Sequence, residues 1–539
     1  MFRSEEAAVS VRRPDKGGRS TVFGMGGAVA CEHSSAALAG IRVLDAGGTA
    51  ADACVAMAAA MAVLSPMQTG LGGDAFLLFY EAATGQVTGL NGAGRAPRGA
   101  TVEKLLDRGV SGMPERGGLT VTVPGAVRLW EDAANTLGNL PLARLLEPAW
   151  EFAENGHPVA EVVARYWEEN EDVLRGNHAA ARTFLPDGRA PAAGEQFYQV
   201  DLASTISAVA EGGADAFYGG EIAGSIARSA QEAGGYLAEE DLAAHESTWV
   251  EPISTEYRGI RVYEIPPPGQ GIAALEMLNI LEGFELASLD PLGAERIHLE
   301  VEAKKLAFKD LHERVGDPEF SEIPTEKLLS KDYAAELRGS IARDAAAAVS
   351  TGLGGDTTYL CAVDAEGNGC SFINSLYDRF GSGLVAEGTG VCLHNRGRSF
   401  NLIAGHPNAL APGKRPMHTI IPGLATSSST GALWATFGVM GAAMQPQGHA
   451  QLLGNLLDYG MNPQQAVDHP RHRHENDVLL IEGRVPEAEI ARLRGLGHRV
   501  EVGEDYMIPT GGAQLIRILE NGVRACGSDP RKDGCALAQ

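Results

Sequence analysis

Apolar residues near the start of the chain recur at helical spacing and predict two consecutive helices. In Ser34–Ala46 the apolar positions fall on one face, and Gly47-Gly48 ends the predicted helix. Thr49 can cap the next helix, Ala50–Leu64, which consists mostly of alanine, valine and methionine. Small apolar residues cover every side of this second helix, so we expect it to pack closely between other elements.

The chain then alternates between strand-like and helix-like segments. A glycine-rich loop, Thr69–Asp74, precedes an apolar strand at Ala75–Tyr80, and residues 125–245 are mainly helical in pattern. A strand over 260–268 runs into three prolines and is followed by a helix at Gly271–Leu281. Because the sequence contains no internal repeat and no low-complexity linker, the pattern predicts one α/β unit.

The pattern becomes strongly β-like in the last third of the chain. Gly352–Asp356 is a flexible glycine-rich segment, and a strand over Thr358–Val363 follows it. A turn over Asp364–Gly369 leads to the returning strand, Cys370–Ser375. The sequence therefore predicts a β-hairpin at the end of a flexible segment.

The expected register brings two hydroxyl groups together at the open end of this hairpin. If Asp364 pairs with Gly369, Ser375 lies opposite Thr358. A flexible loop that leads into a threonine on a central strand suits a nucleophile whose own amine becomes its base once the preceding bond is cut. The spacing alone fits an ordinary threonine at a loop–strand junction equally well.

Composition and charge exclude several classes of protein. The 539 residues are 44% hydrophobic and 21% charged, as in globular proteins, and the longest apolar stretch, Ala53–Leu64, is too short to span a bilayer. A formal net charge of −25 argues against a nucleic-acid partner. Residues 1–20 are charged and predict a loose tail without a signal peptide, so we expect a cytoplasmic protein with no membrane partner.

Common cofactor motifs are missing from the sequence. It contains no P-loop and no G-x-G-x-x-G, H-E-x-x-H or G-x-S-x-G pattern. Seven scattered cysteines without a C-x-x-C pair indicate buried thiols rather than a disulfide framework or zinc. The histidine-rich run His469–His474 contains arginines, which would repel a cation. We therefore expect neither a metal nor a cofactor.

Motifs spread over nearly the whole chain resemble those of one enzyme family. They are His33-Ser34, Gly47–Ala50, Pro66-Met67, Gly70–Gly73, Val123–Gly125, Tyr257–Gly259, Leu278–Leu281, Phe380–Gly383, Gly413–Pro416 and Ser528–Gly534. This combination is similar to the gamma-glutamyltransferase family of N-terminal-nucleophile hydrolases. The runs GRAP, FGSG, NRG, KRPMHTIIP and QPQGH resemble its acylase and oxamate-amidohydrolase-like branch.

The resemblance implies a fold, a maturation step and a set of catalytic residues. The fold is a four-layer αββα sandwich, made as an inactive precursor that cuts itself before Thr357 into chains 1–356 and 357–539. Thr357 then acts as the nucleophile, with its freed α-amine as general base. The remaining matches are Ser375 for the second hydroxyl, and Gly441 and Ala442 for an oxyanion hole built from backbone N–H groups.

The predicted substrate pocket departs from that of the transferases. The acidic and amide residues that hold a glutamyl ammonium are matched by Ser399 and Arg396, and an arginine repels an ammonium. A donor-binding asparagine is matched by Tyr377, and a pair of serines by His418 and Thr419. The resemblance therefore implies a glutamyl pocket that is largely dismantled.

Arginines stand where some of these contacts are lost. The family's carboxylate-binding arginine falls on Ala93, with Arg95 two residues later. Together with Arg396 and Arg379, Arg95 would give a cationic pocket that captures a carboxylate or an α-keto acid through paired hydrogen bonds. Each of these arginines could instead form a surface ion pair.

The sequence thus predicts an autoprocessed threonine amidohydrolase or acylase that acts on a small anionic acyl amide through an acyl-enzyme. Three alternatives stay open: a gamma-glutamyl hydrolase or transferase with a rebuilt pocket, a hydrolase of a carbon–carbon bond next to a keto group, and an unprocessed binding protein. The expected partners are the anionic small molecule and the two chains of the cut precursor. A homodimer of that processed pair is left open.

Overall fold

Two antiparallel sheets lie at the centre of the molecule. The computed structural model describes residues 18–347 and 355–539. The predicted tail over residues 1–20 lies outside the described residues up to position 17, and the predicted flexible segment over 352–356 lies outside them up to position 354. Within the described chain, each central sheet has seven strands.

The first sheet contains the strand that begins at the predicted cleavage point. Its strands, in spatial order, are Cys535–Ala538, Ala28–Cys31, Asp356–Val363, Gly369–Tyr377, Asp74–Glu81, Gln86–Asn91 and Thr248–Val250. Every neighbouring pair is antiparallel. The strand Asp356–Val363 is therefore an interior strand with a partner on each side.

The second sheet is built in the same way. Its strands, in spatial order, are Val22–Gly24, Arg524–Ser528, Ala513–Ile518, Leu433–Val439, Gly423–Ser427, Ile260–Glu264 and Ile253–Tyr257. Smaller sheets pair Leu384–Ala386 with Val391–Leu393, His157–Pro158 with Gln196–Phe197, and His472–Glu475 with Val478–Ile481 and Val500–Val502. The strand predicted over 260–268 ends at Glu264 because proline, which has no N–H to donate, follows at positions 266–268.

The described residues form helices, several of which cover the outer faces of the two central sheets. They are Ser34–Asp45, Ala50–Leu64, Val102–Asp107, Ala126–Leu137, Leu142–Asn155, Glu161–Glu168, Glu171–Arg175, His178–Phe184, Val200–Gly212, Ala214–Tyr218, Gly220–Glu232, Glu239–Ala243, Gly271–Glu282, Ala294–Arg314, Thr325–Leu328, Lys331–Gly339, Met444–Leu457, Pro463–Asp468 and Glu487–Gly495. None of the helices formed by the described residues combines the length and apolar character needed to span a bilayer.

Alternating side chains of the strands fill three layers of hydrophobic core. Phe76 points between the sheets and belongs to the same cluster as Leu424 of the second sheet. Its neighbour Leu77 points the other way and packs with the helices on the first sheet, while Phe437 packs with the helices on the second. This order of helix, sheet, sheet and helix confirms the predicted αββα sandwich.

The helix Ala50–Leu64 has the bounds that the sequence predicts, and all of its residues are buried. Thr49 accepts a hydrogen bond from the Asp52 N–H at 3.2 Å, and the Asp52 carboxylate accepts one from the Thr49 N–H at 2.9 Å. This capping box fixes where the helix begins. Its small residues let it lie directly on the first sheet, as expected.

The predicted register of the hairpin is wrong by one residue. Gly369 pairs with Val363 rather than with Asp364, and Asn374 rather than Ser375 lies opposite Thr358. The reason is the turn, because the Asp364 N–H donates to the Asn368 carbonyl at 3.1 Å and the Asp364 carboxylate accepts from the Asn368 N–H at 2.9 Å. Asp364 therefore belongs to the turn instead of the strand ladder.

A β-bulge at the open end of the hairpin restores the meeting of two hydroxyl groups. The register shifts between Asp356, which pairs with Tyr377, and Thr358. Thr357 alone lies opposite the two residues Ser375 and Leu376, so the extra residue belongs to the strand Gly369–Tyr377, and bulges of this kind redirect side chains next to functional sites. The threonine that faces Ser375 is consequently Thr357, not Thr358.

Candidate active site

The Thr357 hydroxyl lies at the centre of a buried polar cluster. Its Oγ1 is 3.2 Å from Ser375 Oγ, which also accepts a hydrogen bond from the Tyr377 N–H at 2.9 Å. Gln445 Nε2 lies 3.5 Å from Thr357 Oγ1, and Gln68 Nε2 donates to the Thr357 carbonyl at 3.1 Å. Thr357 is only 1% exposed, so its hydroxyl is held in a fixed place away from solvent.

Strained backbone surrounds this threonine. Tyr377 and Ala442 have φ angles of 75° and 51°, which residues other than glycine rarely adopt. Gly355 has φ of 138°, and a Cβ built on it would lie 3.1 Å from both the Ala442 Cβ and the Tyr377 carbonyl oxygen. Such strain persists where the surrounding structure enforces it, and it clusters at functional sites.

The predicted oxyanion residues, Gly441 and Ala442, form a turn beside Gly355. This turn connects the strand Leu433–Val439 to the helix Met444–Leu457. Gln270 Nε2 donates to the Ala442 carbonyl at 2.8 Å and holds the turn in place. Backbone N–H groups at the start of a helix are suited to stabilise a negative charge, so the turn offers what an oxyanion hole needs.

A fully buried carboxylate, Asp74, organises the predicted substrate pocket. Asp74 Oδ2 lies 3.0 Å from His418 Nε2 and 3.1 Å from His394 Nδ1. The same oxygen is 3.5 Å from Arg396 Nε, and the Gly94 N–H donates to Asp74 Oδ1 at 3.0 Å. Three cationic or donor side chains thus converge on one carboxylate.

This arrangement sets the charges of the pocket. Burial alone would raise the pKa of Asp74, but contacts with His394 and His418 hold that pKa well below its usual range. Burial, together with the charge of Arg396, lowers the pKa of His418 to about 3. At neutral pH, Asp74 is therefore ionised and balances Arg396, while His418 is neutral.

The structure brings most of the predicted pocket residues together. The Arg396 guanidinium is 0% exposed, lies 4.4 Å from the centre of the Tyr377 ring and donates to Thr419 Oγ1 at 2.8 Å. Ser399 ends the short turn that begins at Arg396, and its carbonyl accepts from Asn408 Nδ2 at 2.6 Å. These residues, together with His418, form the predicted substrate pocket next to Tyr377.

Arg95 lies apart from this group. Its Nη2 is 2.7 Å from Glu319 Oε1, its Nη1 donates to the Gly413 carbonyl at 3.0 Å, and its side chain is 34% exposed. Arg415, at 2.9 Å from the same Glu319 oxygen, completes a small ion-pair cluster. The contacts of Arg95 are those of an ion pair between chain segments.

We expect Arg95→Ala to leave the KM for an anionic substrate within about twofold, because an arginine paired to Glu319 is not needed to hold a substrate carboxylate. Its cost in folding free energy should be below about 1 kcal/mol, as for other half-exposed ion pairs. Steady-state kinetics and a urea titration of the variant measure both quantities. A rise in KM of tenfold or more would show instead that Arg95 reaches the substrate.

Sequence reasoning missed several residues of the site. Asp74 and His394 form the buried charge cluster, and Gln68, Gln445 and Gln270 position Thr357 and the Gly441–Ala442 turn. The only signal in the sequence is their position next to recognised motifs, since Asp74 ends the glycine-rich loop and His394 precedes the NRG run. Polar residues beside glycine-rich turns deserve to be considered with the turns themselves.

One group of side chains has the spacing of metal ligands. Within the described residues, ligand atoms of His298, Glu302 and His498 lie within 4.8 Å of one another. However, Lys305 Nζ is 2.8 Å from Glu302 Oε1, and the two nitrogens of His298 contact His498 Nε2 and the Ala342 carbonyl. Glu302 is the one carboxylate among these three residues, and the ammonium of Lys305 next to it opposes a bound cation. The contacts of this cluster are therefore those of a structural role.

The fold and this site together define a class of enzyme. An αββα sandwich with a buried hydroxyl at the start of an interior strand, next to a helix-initiating turn, is the arrangement of the N-terminal-nucleophile hydrolases. The chain belongs to the gamma-glutamyltranspeptidase family, because the sequence model of that family matches residues 36–539. It is therefore an enzyme of the hydrolase and acyltransferase type.

Known relatives agree with this assignment over nearly their full lengths. The Glutathione hydrolase-like YwrD proenzyme of Bacillus subtilis is 40% identical over 96% of this chain and 99% of the relative. The Oxamate amidohydrolase proenzyme of Klebsiella pneumoniae is 35% identical over 95% of this chain and 98% of the relative. Both relatives are proenzymes, and this chain belongs to the same family of hydrolases.

A solved structure shows the same fold. The cephalosporin acylase from Bacillus halodurans superposes with a TM-score of 0.91 and is 41% identical, and the match covers 100% of this chain and 99% of the acylase. The similarity extends across both central sheets and their helices, because it leaves almost no part of either chain unmatched.

Proposed function

We propose that Thr357 is the nucleophile of an amidohydrolase that matures by cutting its own chain between Asp356 and Thr357. The proposal is supported by the bulge opposite Thr357, where the Thr357 hydroxyl lies 3.2 Å from Ser375 Oγ, and by the positive φ of Gly355, two residues before Thr357. The products would be a large chain of residues 1–356 and a small chain of residues 357–539. Cutting would free the α-amine of Thr357 to serve as the general base.

In the proposed reaction, the Thr357 hydroxyl attacks the acyl carbon of an amide and its proton passes to the Thr357 α-amine. The N–H groups of Gly441 and Ala442 stabilise the oxyanion of the tetrahedral intermediate. Collapse of this intermediate breaks the carbon–nitrogen bond, and the leaving amine takes the proton from the ammonium of Thr357. Water then attacks the acyl-enzyme by the same route and releases the acid.

The substrate class follows from Arg396, which is the observation that carries the proposal. Its guanidinium is fully buried on the Tyr377 ring, its Nε faces Asp74 at 3.5 Å, and its Nη2 has no hydrogen-bond partner among the described residues. A buried donor without a partner is costly unless a ligand supplies an acceptor. A carboxylate or keto oxygen next to the scissile amide meets this need, so we assign the enzyme to small anionic acyl amides.

The experiment that tests this function combines a gel with a substrate screen. Purified protein should give two bands whose masses correspond to a cut before Thr357. A panel of oxamate, N-acyl amino acids and a gamma-glutamyl anilide should then show turnover of amides with an acidic or keto acyl group. An active single chain would refute the maturation step, and selective turnover of neutral acyl groups would refute the substrate class.

We expect a gamma-glutamyl anilide to be a poor substrate. Its α-ammonium would face Arg396, and the buried carboxylate beside Arg396, Asp74, is already shared by His394, His418 and Arg396. An unpaired buried charge costs roughly 3–5 kcal/mol, which predicts a kcat/KM at least about a hundredfold below that of an anionic acyl amide. Comparable specificity constants for the two compounds would contradict this pocket assignment.

A further inference from the structure

A cavity beside the proposed nucleophile contains three arginines that the reaction described above does not use. Its volume is about 300 Å³, and Gly355 and Gly441 form part of its wall. Because Gly355 precedes the Asp356–Thr357 bond and Gly441 belongs to the predicted oxyanion turn, the cavity lies next to the proposed cleavage point. Its size is at the lower end for small-molecule sites and suits one end of a small substrate.

Arg116, Arg379 and Arg473 line this cavity, and Asp378 is the acidic residue among the lining residues. Asp378 is neutralised by Arg398, whose Nη1 lies 2.6 Å from its Oδ2 and which is not part of the wall. Three of the lining residues therefore carry a positive charge, and one carries a negative charge that is already paired. In a protein of net charge −25, such a concentration of positive charge is a local feature.

The three arginines differ in how their charges are matched. Arg379 pairs with Glu169 at 2.6 Å and lies 3.6 Å from the centre of the Tyr166 ring. Arg473 pairs with Glu475, yet its buried Nε has no hydrogen-bond partner among the described residues. Arg116 forms no ion pair with any described residue, and its Nη1 donates to the Arg379 and Gly381 carbonyls at 2.8 and 2.5 Å.

Arg116 is thus a half-buried guanidinium that is fixed in place by two backbone carbonyls, and the carboxylate that acts on its charge, Asp378, is already bonded to Arg398. A guanidinium held in this way can offer its remaining N–H groups to a planar anion at little cost in side-chain entropy. A carboxylate is the smallest common group that matches this fork and the volume of the cavity.

The cavity is separate from the anion site proposed at Arg396. Arg396 is not one of its lining residues and lies on the ring of Tyr377, whereas the cavity is lined by the next two residues, Asp378 and Arg379. A substrate bound at Thr357 could therefore place one acidic group at Arg396, on the acyl side. Its other end would extend past Gly355 into the cavity.

From this geometry we propose that the cavity binds a carboxylate on the leaving amine, with Arg116 as the principal contact and Arg379 and Arg473 beside it. The inference rests on the proposed function and narrows it. The substrate would be an amide between an anionic acyl group and an amino acid-like amine, acidic at both ends. Hydrolysis would release this amine, so the reaction that follows would be one that accepts a free amino acid-like compound.

Two compounds that differ only in this group test the proposal, N-succinylglycine and N-succinylglycinamide. Their dissociation constants are measured by calorimetry on the processed wild-type protein, and the ratio of kcat/KM replaces the ratio of Kd where a compound is hydrolysed. We expect the carboxylate compound to bind at least tenfold more tightly than the amide. An equal affinity for both compounds would overturn the proposal.

Arg116→Gln removes the charge but keeps an N–H donor for the two backbone carbonyls. It should reduce the tenfold preference to about twofold or less, while Arg144→Gln, a surface variant that removes the same charge elsewhere, should retain it. A preference that survives in Arg116→Gln would overturn the assignment to Arg116. Arg116→Lys should give an intermediate ratio, because it keeps the charge without the planar fork.

The two proposals fail in different ways. A protein that is not cut before Thr357, or that hydrolyses none of the amide panel, would refute the proposed function, and the binding ratio could still be measured on it. A protein that is cut and hydrolyses anionic acyl amides without regard to the charge of the leaving amine would refute only the second anion site.

Discussion

Replacing Thr357 by alanine is expected to leave the chain uncut and to lower amide turnover at least about a thousandfold. The hydroxyl that this change removes would attack twice, first the Asp356 carbonyl and later the substrate. The Gly441–Ala442 turn and the polar cluster stay in place, so the fold should be retained. Denaturing gels and intact mass show whether the chain is cut. Single-turnover assays measure the loss of amide turnover.

Two neighbouring variants sharpen this test. Thr357→Ser keeps a hydroxyl and should still be cut, only more slowly, because the smaller side chain is less constrained in the bulge. Thr358→Val is the matched control, since the buried Thr358 Oγ1 has no hydrogen-bond partner among the described residues. It should be cut and active. If Thr357→Ala were cut normally, or if Thr358→Val alone stayed uncut, Thr357 would not be the nucleophile.

Replacing Asp74 by alanine is expected to destabilise the folded protein by about 3–5 kcal/mol. The carboxylate is fully buried, and its loss leaves the Arg396 charge without its balancing partner and removes the acceptor shared by His394 and His418. The difference in the free energy of unfolding between the variant and the wild type, from urea titrations, measures this cost.

The control for Asp74 is an aspartate–arginine ion pair at the surface. Asp215 lies 2.6 Å from Arg128 and its side chain is 87% exposed, so Asp215→Ala should cost less than about 1 kcal/mol. Adding Arg396→Met to Asp74→Ala should recover part of the lost stability, because the unbalanced charge is then gone. Equal costs for Asp74→Ala and Asp215→Ala would show that Asp74 does not balance Arg396.

The features that the sequence predicts well are those that depend on local pattern. The helix Ala50–Leu64 has its predicted bounds because the capping box at Thr49 and the apolar run specify them without help from distant residues. The layered fold also follows from pattern, since Phe76 and Leu77 alternate between two cores. At these positions the local helix or strand propensity and the burial of apolar side chains favour the same structure.

The features that sequence pattern predicts poorly depend on contacts between distant or specific side chains. The hairpin register is decided by hydrogen bonds between Asp364 and Asn368, which hydrophobic alternation does not reveal. The cluster around Asp74 joins residues more than 300 positions apart, and Arg95 lies near the motif but pairs with Glu319. Such pairings become visible only when the chain has folded.

The strand order of the first sheet would make the cut protein insensitive to dilution. Three of its backbone ladders would join strands from different products, because Ala28–Cys31 lies between Cys535–Ala538 and Asp356–Val363, and Gly369–Tyr377 pairs with Asp74–Glu81. Separating the products would require the centre of the sheet to unravel, so dissociation and denaturation would be a single event. Activity per molecule should therefore stay constant on dilution, and fragments expressed separately would have to fold around each other rather than dock.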